Sequence, residues 1–138
     1  MVHALKDIWQ VLAPGGILID LRPIHADWLL EVVAENRVVS IGAVDNTLHH
    51  ADDIAATQAL EQMVEENLFR CERQGSFRYA WYWDTSHEMK TYFENKSPPL
   101  CIPEEMLQKT RNALQNAGQN AQVRVLIQMM IARYRKLS

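Results

Sequence analysis

The chain has 138 residues, 48% of them hydrophobic and 22% charged, which is the make-up of one compact soluble domain and not of a disordered tract. Its formal net charge of −3 argues against a protein that coats nucleic acid, because such binding needs a surplus of Lys and Arg facing phosphates. No apolar run reaches the roughly 18 residues of a membrane helix, the first residues lack the apolar stretch of a signal peptide, and two cysteines without CxxC spacing, Cys71 and Cys101, fit reduced thiols in the cytoplasm.

Leu5, Ile8, Trp9 and Leu12 recur at three- and four-residue steps and predict a helix with one apolar face. Ala13-Pro14-Gly15-Gly16 stops it, because proline cannot extend the ladder and glycine permits a tight reversal. The apolar, β-branched run Ile17–Leu21 then predicts a strand covered on both faces, closed by Pro23. Residues 28–34 and 37–44 are two β-rich runs joined by Glu35-Asn36, which predicts a hairpin whose turn draws on Asn36 in a left-handed conformation.

Asp52 or Asp53 can cap the next helix, whose apolar stripe is Ile54, Leu60, Met63, Val64 and Leu68. Gln74-Gly75-Ser76 reads as a turn. After it Phe77, Tyr79, Trp81 and Trp83 alternate with Arg78, Ala80, Tyr82 and Asp84, the period of a half-buried strand. Thr85 or Ser86 caps a short helix carrying Met89, Tyr92 and Phe93, and Ser97-Pro98-Pro99 breaks the chain. Pro103 opens a further helix with Glu104 and Glu105 at its positive end, Met106, Leu107, Thr110 and Leu114 on its buried side, and Gly118 as its stop. The last run places Val123, Val125, Ile127, Met129 and Ile131 inward, and its length favours a central strand. The positive charges at Arg133, Arg135 and Lys136 read as a solvated strand end. No repeat or domain boundary interrupts residues 1–138.

The stretch Ala4–Ile19, with Leu12-Ala13-Pro14-Gly15-Gly16 at its centre, resembles class I S-adenosylmethionine (SAM)-dependent methyltransferases. In that family a helix ending in Leu-x-Pro-Gly-Gly leads into the fifth strand of the sheet. The later elements follow the family's order, with Phe77–Asp84 as a sixth strand and Val123–Arg133 as an antiparallel seventh inserted between the fifth and sixth. The resemblance implies an α/β fold: part of a Rossmann-like sheet, mixed parallel and antiparallel, with flanking helices and an inserted hairpin at 28–44. It covers the C-terminal half of the family only. The family's glycine-rich loop and the acidic residue for the ribose have no counterpart, since Gly15-Gly16, Gly42, Gly75 and Gly118 form no GxGxxG. No catalytic or SAM-binding residue transfers, and no cofactor is expected for the isolated chain; SAM is expected only where a complementary half supplies the loop.

Among the remaining side chains, Asp20, Arg22, His25, Trp28 and Tyr82 can line a pocket at the strand end where open α/β sheets place ligands. His49-His50 with Asp52-Asp53 has the residue types of a metal site, although a helix start explains the acids equally well, and no metal is expected. Tyr79, Trp81, Tyr82 and Trp83 can stack a flat ligand or pack a core. Cys71 lies beside Arg70 and Arg73, but a helix C-terminus there would oppose a lowered thiol pKa.

Without the family's first strands, Ile17–Leu21 becomes an apolar edge, which invites pairing. Either the 28–44 hairpin covers that edge, or two copies meet through Ile17–Leu21 or through the hairpin. The expected protein is a non-catalytic, methyltransferase-like, homodimeric binding or scaffold module of the cytoplasm, without nucleic-acid or membrane partners. The alternative is an enzyme component, a SAM-dependent methyltransferase that takes its SAM-binding half from a separate subunit. A third reading is a small-molecule binding or hydrolytic domain built on His25, Trp28 and Tyr82.

Overall fold

The computed structural model describes residues 1–138. In chain order the elements are α1 (Val2–Val11), β1 (Ile17–Pro23), β2 (Trp28–Ala34), β3 (Arg37–Val44), α2 (Thr47–Glu65), β4 (Phe69–Trp83), α3 (Ser86–Glu94), α4 (Glu104–Ala117) and β5 (Gln122–Lys136). Between α1 and β1 the chain reverses at Ala13–Gly16, where the Gly16 amide donates to the Ala13 carbonyl at 2.8 Å. Both glycines are needed there: Gly15 has φ +72°, and a Cβ on Gly16 would sit 2.8 Å from the Ala13 oxygen.

The five strands form one sheet in the order β1-β5-β2-β3, with β4 also paired to β5, and every ladder is antiparallel. The mixed parallel and antiparallel, Rossmann-like sheet expected from the resemblance is therefore corrected. The reason lies in the connections and in β5. The two-residue link Glu35-Asn36 joins β2 to β3, and so short a link permits only antiparallel pairing. β1 and β4 each pair with β5 and not with each other, so no two parallel strands become neighbours. The hairpin pairs with β5 through Leu29↔Leu126 to Val33↔Gln122, and it does not cover β1.

Two compact units divide the chain. The first comprises Met1–His25, His49–Phe77 and Gln128–Ser138. Its core is Leu5, Ala59, Leu60, Met63, Phe69, Ala132 and Tyr134, with Trp9, Leu12 and Leu18 packed around it. Trp9 donates its indole N–H to the Leu68 carbonyl at 2.9 Å, and the Lys136 ammonium lies 4.3 Å from the Trp9 ring centre while donating to the Leu12 carbonyl at 2.7 Å. The second unit comprises Ala26–Leu48 and Arg78–Ile127. Leu30, Val32, Val44, Met89, Phe93, Leu107, Val123 and Val125 are among its buried residues, and α4 packs on β2 and β3.

Several local expectations shift. The Asp45 carboxylate accepts the Thr47 amide at 3.0 Å and its hydroxyl at 2.6 Å, so α2 starts at Thr47 and not at Asp52 or Asp53. Gln74-Gly75-Ser76 is no turn but the middle of the fifteen-residue β4. The left-handed asparagines are Asn67 and Asn120, not Asn36. Along β5 the buried set is Val123, Val125 and Ile127, then changes parity to Ala132 and Tyr134, leaving Ile131 exposed. The change falls where the ladder partner passes from β2 to β1. Thr85 caps α3 in a full capping box, accepting the Glu88 amide while Glu88 accepts the Thr85 amide.

Candidate functional site

β1 is an edge strand of the sheet. Its residues Ile17 to Pro23 pair with Arg135 to Met129 of β5, and no strand pairs with its other edge. Along it Leu18 turns into the core, while Ile17, Ile19 and Leu21 on the alternate face remain 42%, 54% and 55% exposed. A groove of about 230 Å³ runs by Leu18–Leu21, walled by Met1 and Leu5 of the N-terminal helical segment and by Ala56 and Leu60 of α2. The strand expected to be covered on both faces is thus covered on one face and one edge.

The pocket residues named from sequence fall in two groups. In the first unit, Arg22 Nε is 3.0 Å from Asp20 Oδ2, and the same guanidinium donates to the Thr57 hydroxyl at 2.9 Å and to the Asp53 carbonyl at 3.2 Å. Thr57 in turn donates to the Asp53 carbonyl at 3.0 Å. These bonds tie β1 to α2, so Arg22 acts as a staple between elements. His25 lies against His50 with ring centres 4.3 Å apart. Trp28 and Tyr82 belong to the second unit. Trp28 is buried edge-on to Trp81 at 5.5 Å, and Tyr82 is exposed.

His49, His50, Asp52 and Asp53 all lie on α2, and no group of three or more His, Cys, Asp or Glu side chains converges as a metal site would. Burial pushes the Asp53 carboxyl above its usual range, against the opposing pull of Arg22, His50, His49 and His25. The cluster's chemistry is that of a partly desolvated acid ringed by bases. Cys71 and Cys101 are free and exposed.

The aromatic residues of β4 divide likewise. Trp81 and Trp83 pack with Phe93 and Tyr92 at 5.2–6.0 Å between ring centres, whereas Phe77 and Tyr79 are exposed. Sequence reading missed Lys96, whose ammonium sits 4.6 Å from the Trp81 ring centre and 4.8 Å from that of Tyr92. It also missed the pairing of Arg124 with Glu31, at 2.9 and 2.6 Å. Lys96 and Tyr92 are four positions apart, a spacing that could have suggested their contact, but Trp81 and the Glu31–Arg124 pair are brought in from distant parts of the chain.

A search of protein-family models, of curated proteins and of solved structures found no match to this chain. The resemblance at residues 4–19 rests on those residues alone.

Proposed function

We propose that this chain is a methyltransferase-derived module that performs no catalysis of its own and works as a homodimeric binding or scaffold protein of the cytoplasm. The observation that carries this reading is the open edge of β1 with its exposed apolar row. That row is symmetric about Ile19. An antiparallel pairing of two copies centred there sets Ile17 beside the partner's Leu21 twice and Ile19 beside the partner's Ile19, which is the self-complementarity a two-fold interface requires. Burying the exposed part of three such side chains on each copy is worth about 6 kcal/mol. That is of the same order as the cost of association, so the dimer forms at micromolar and not nanomolar concentration. Two features support the methyltransferase ancestry: the left-handed Gly15 and the close-packed Gly16 give Leu12–Gly16 a geometry of helix, sharp turn and strand in the order of the motif. The exposed free thiols suit a reducing compartment. No helix is long and apolar enough to cross a membrane.

The experiment is sedimentation velocity from about 1 to about 100 μM, a range that brackets a micromolar constant, on the wild type and on Leu21→Lys. The wild type should shift to dimer within the range, and the lysine, placed on an exposed position of the edge strand, should hold the chain monomeric. A wild type that stays monomeric throughout overturns the reading. The same edge favours a second reading, in which a strand of a separate SAM-binding chain adds there and completes a methyltransferase. Calorimetry with SAM distinguishes them: binding by the isolated chain contradicts the first reading, and binding only in the presence of a companion chain establishes the second.

A further inference from the structure

In the first unit the N-terminal half of β4 is exposed residue after residue from Arg70 to Phe77. Its ladder partner β5 contributes Arg133 and Arg135. One carboxylate serves this cluster. Glu72 accepts from Arg135 through both Nε and NH2 and is ion-paired with Arg133 Nε at 3.0 Å and with Arg70 at 3.5 Å. Hydrogen bonds from Arg135 above all hold the Glu72 carboxyl below the usual carboxylate range. Arg73 forms no ion pair. Three guanidiniums share the one carboxylate of Glu72, and Arg73 adds a fourth positive charge from the next position of the strand, in a chain whose net charge is −3. Such a surplus is unfavourable unless something else neutralises it.

A cavity of about 460 Å³ opens among these groups, within the range of small-molecule sites. Arg73 and Arg133 stand at it, and Ile19, Phe77 and Ile131 are its large apolar residues. Those three side chains are 54%, 42% and 42% exposed, so apolar area and cationic charge are presented side by side. At Gly75 a Cβ would meet nothing within 4 Å, so the middle of the β4 backbone is bare to an approaching ligand.

We propose that this cavity binds a small anion with a flat apolar body, an aryl carboxylate or an aryl phosphate. The guanidinium of Arg73 takes the anionic head, and Arg133, whose Nε already holds Glu72, offers its remaining N–H groups. Phe77 and the two isoleucines take the ring. The two halves of the ligand are both needed, since a surface arginine pair gives little to a fully hydrated inorganic anion and an uncharged ring gains only the apolar wall. Ile19 also belongs to the row offered to the β1-edge dimer, whereas Arg73, Ser76, Phe77, Ile131 and Arg133 do not, so the site rests on those five residues whether or not two copies pair.

Amide NMR of the full chain tests it, with 1-naphthyl phosphate, 1-naphthoate, inorganic phosphate and 1-naphthol as probes. At least one naphthyl anion should shift the amides of residues 73–77 and 131–133 and saturate below about 1 mM. Which of the two binds more tightly identifies the head group. Inorganic phosphate and 1-naphthol should each bind at least tenfold more weakly, and Arg73→Gln should weaken the bound anion at least tenfold while the amides of α2 keep their positions. Arg73→Lys, which keeps the charge and loses the fork, should fall between, and it supplies the comparison if the glutamine variant does not fold. Binding of 1-naphthol as tight as that of either anion, shifts that map elsewhere, or an unchanged affinity in both variants overturns the proposal.

Discussion

Replacing Glu31 by Gln should destabilise the chain by about 2 kcal/mol, a value bracketed by exposed and fully buried ion pairs. Glu31 and Arg124 are Cα partners across the β2–β5 ladder, and their side chains are only 14% and 23% exposed. Exposed pairs of this kind are worth about 0.2–1 kcal/mol, and breaking a fully buried one costs about 3–5 kcal/mol. A pair mostly removed from solvent, with two short hydrogen bonds to a single oxygen, falls between. Burial acts to lower the Arg124 pKa, yet the pairing with Glu31 above all leaves it raised, so the charged guanidinium is held by its partner and not by water. For a chain of this length the loss corresponds to a Tm lower by about 6–8 °C. Urea unfolding followed by tryptophan fluorescence reports it, because Trp28 and Trp81 lie in the same unit. A double-mutant cycle with Arg124→Met isolates the pair, with an expected coupling of about 1.5 kcal/mol. A coupling under about 0.5 kcal/mol would mean that the pair is solvated and that the ladder does not depend on it.

Asp53 gives a pH-dependent outcome. Its folded pKa is raised, chiefly by burial, so its contribution to stability is fully present below the unfolded value and is lost as pH rises through the folded one. Asp53→Asn should therefore melt above the wild type at pH 7, and the difference should vanish as pH falls to about 3.5. Thermal melts of both proteins at several pH values check this, and a constant difference would contradict it. Thr85→Ala removes one arm of the α3 capping box and should cost about 1 kcal/mol. Faster hydrogen exchange at the Glu88 amide, which loses its acceptor, is the accompanying sign.

What could be read from the sequence was local. The Thr85 cap and the Pro14-Gly15-Gly16 reversal follow from the conformational limits of a few adjacent residues, and both are found, as is the β2–β3 hairpin at Glu35-Asn36, although without the left-handed Asn36 expected there. What could not be read was decided by distant partners. Gln74-Gly75-Ser76 has turn composition, but the long ladder with β5 holds it extended. Ile131 continues the alternation of Val123–Ile127 in sequence, yet it pairs with the exposed Leu21. At the candidate site, Asp20 and Arg22 lie two positions apart on one strand, so the alternation of side chains puts them on one face. The bond from Arg22 to Thr57 spans thirty-five positions and no periodicity announces it. The parallel arrangement failed for the same reason: order along the chain was right for several elements, but it does not say which strands become neighbours.

β5 is the ladder partner of β1, β2 and β4, and it follows all three in the chain. During synthesis the hairpin of β2 and β3 can close by itself, as can the helices. β1 and β4 must wait for residues 122–136. The first of these waits spans roughly a hundred positions, from Ile17–Pro23 to their partners Met129–Arg135. Closing so long a loop is entropically slow. Until it closes, Ile17, Ile19 and Leu21 belong to an unpaired strand segment in a nascent chain, which is the kind of segment that chaperones hold and that aggregates when they do not.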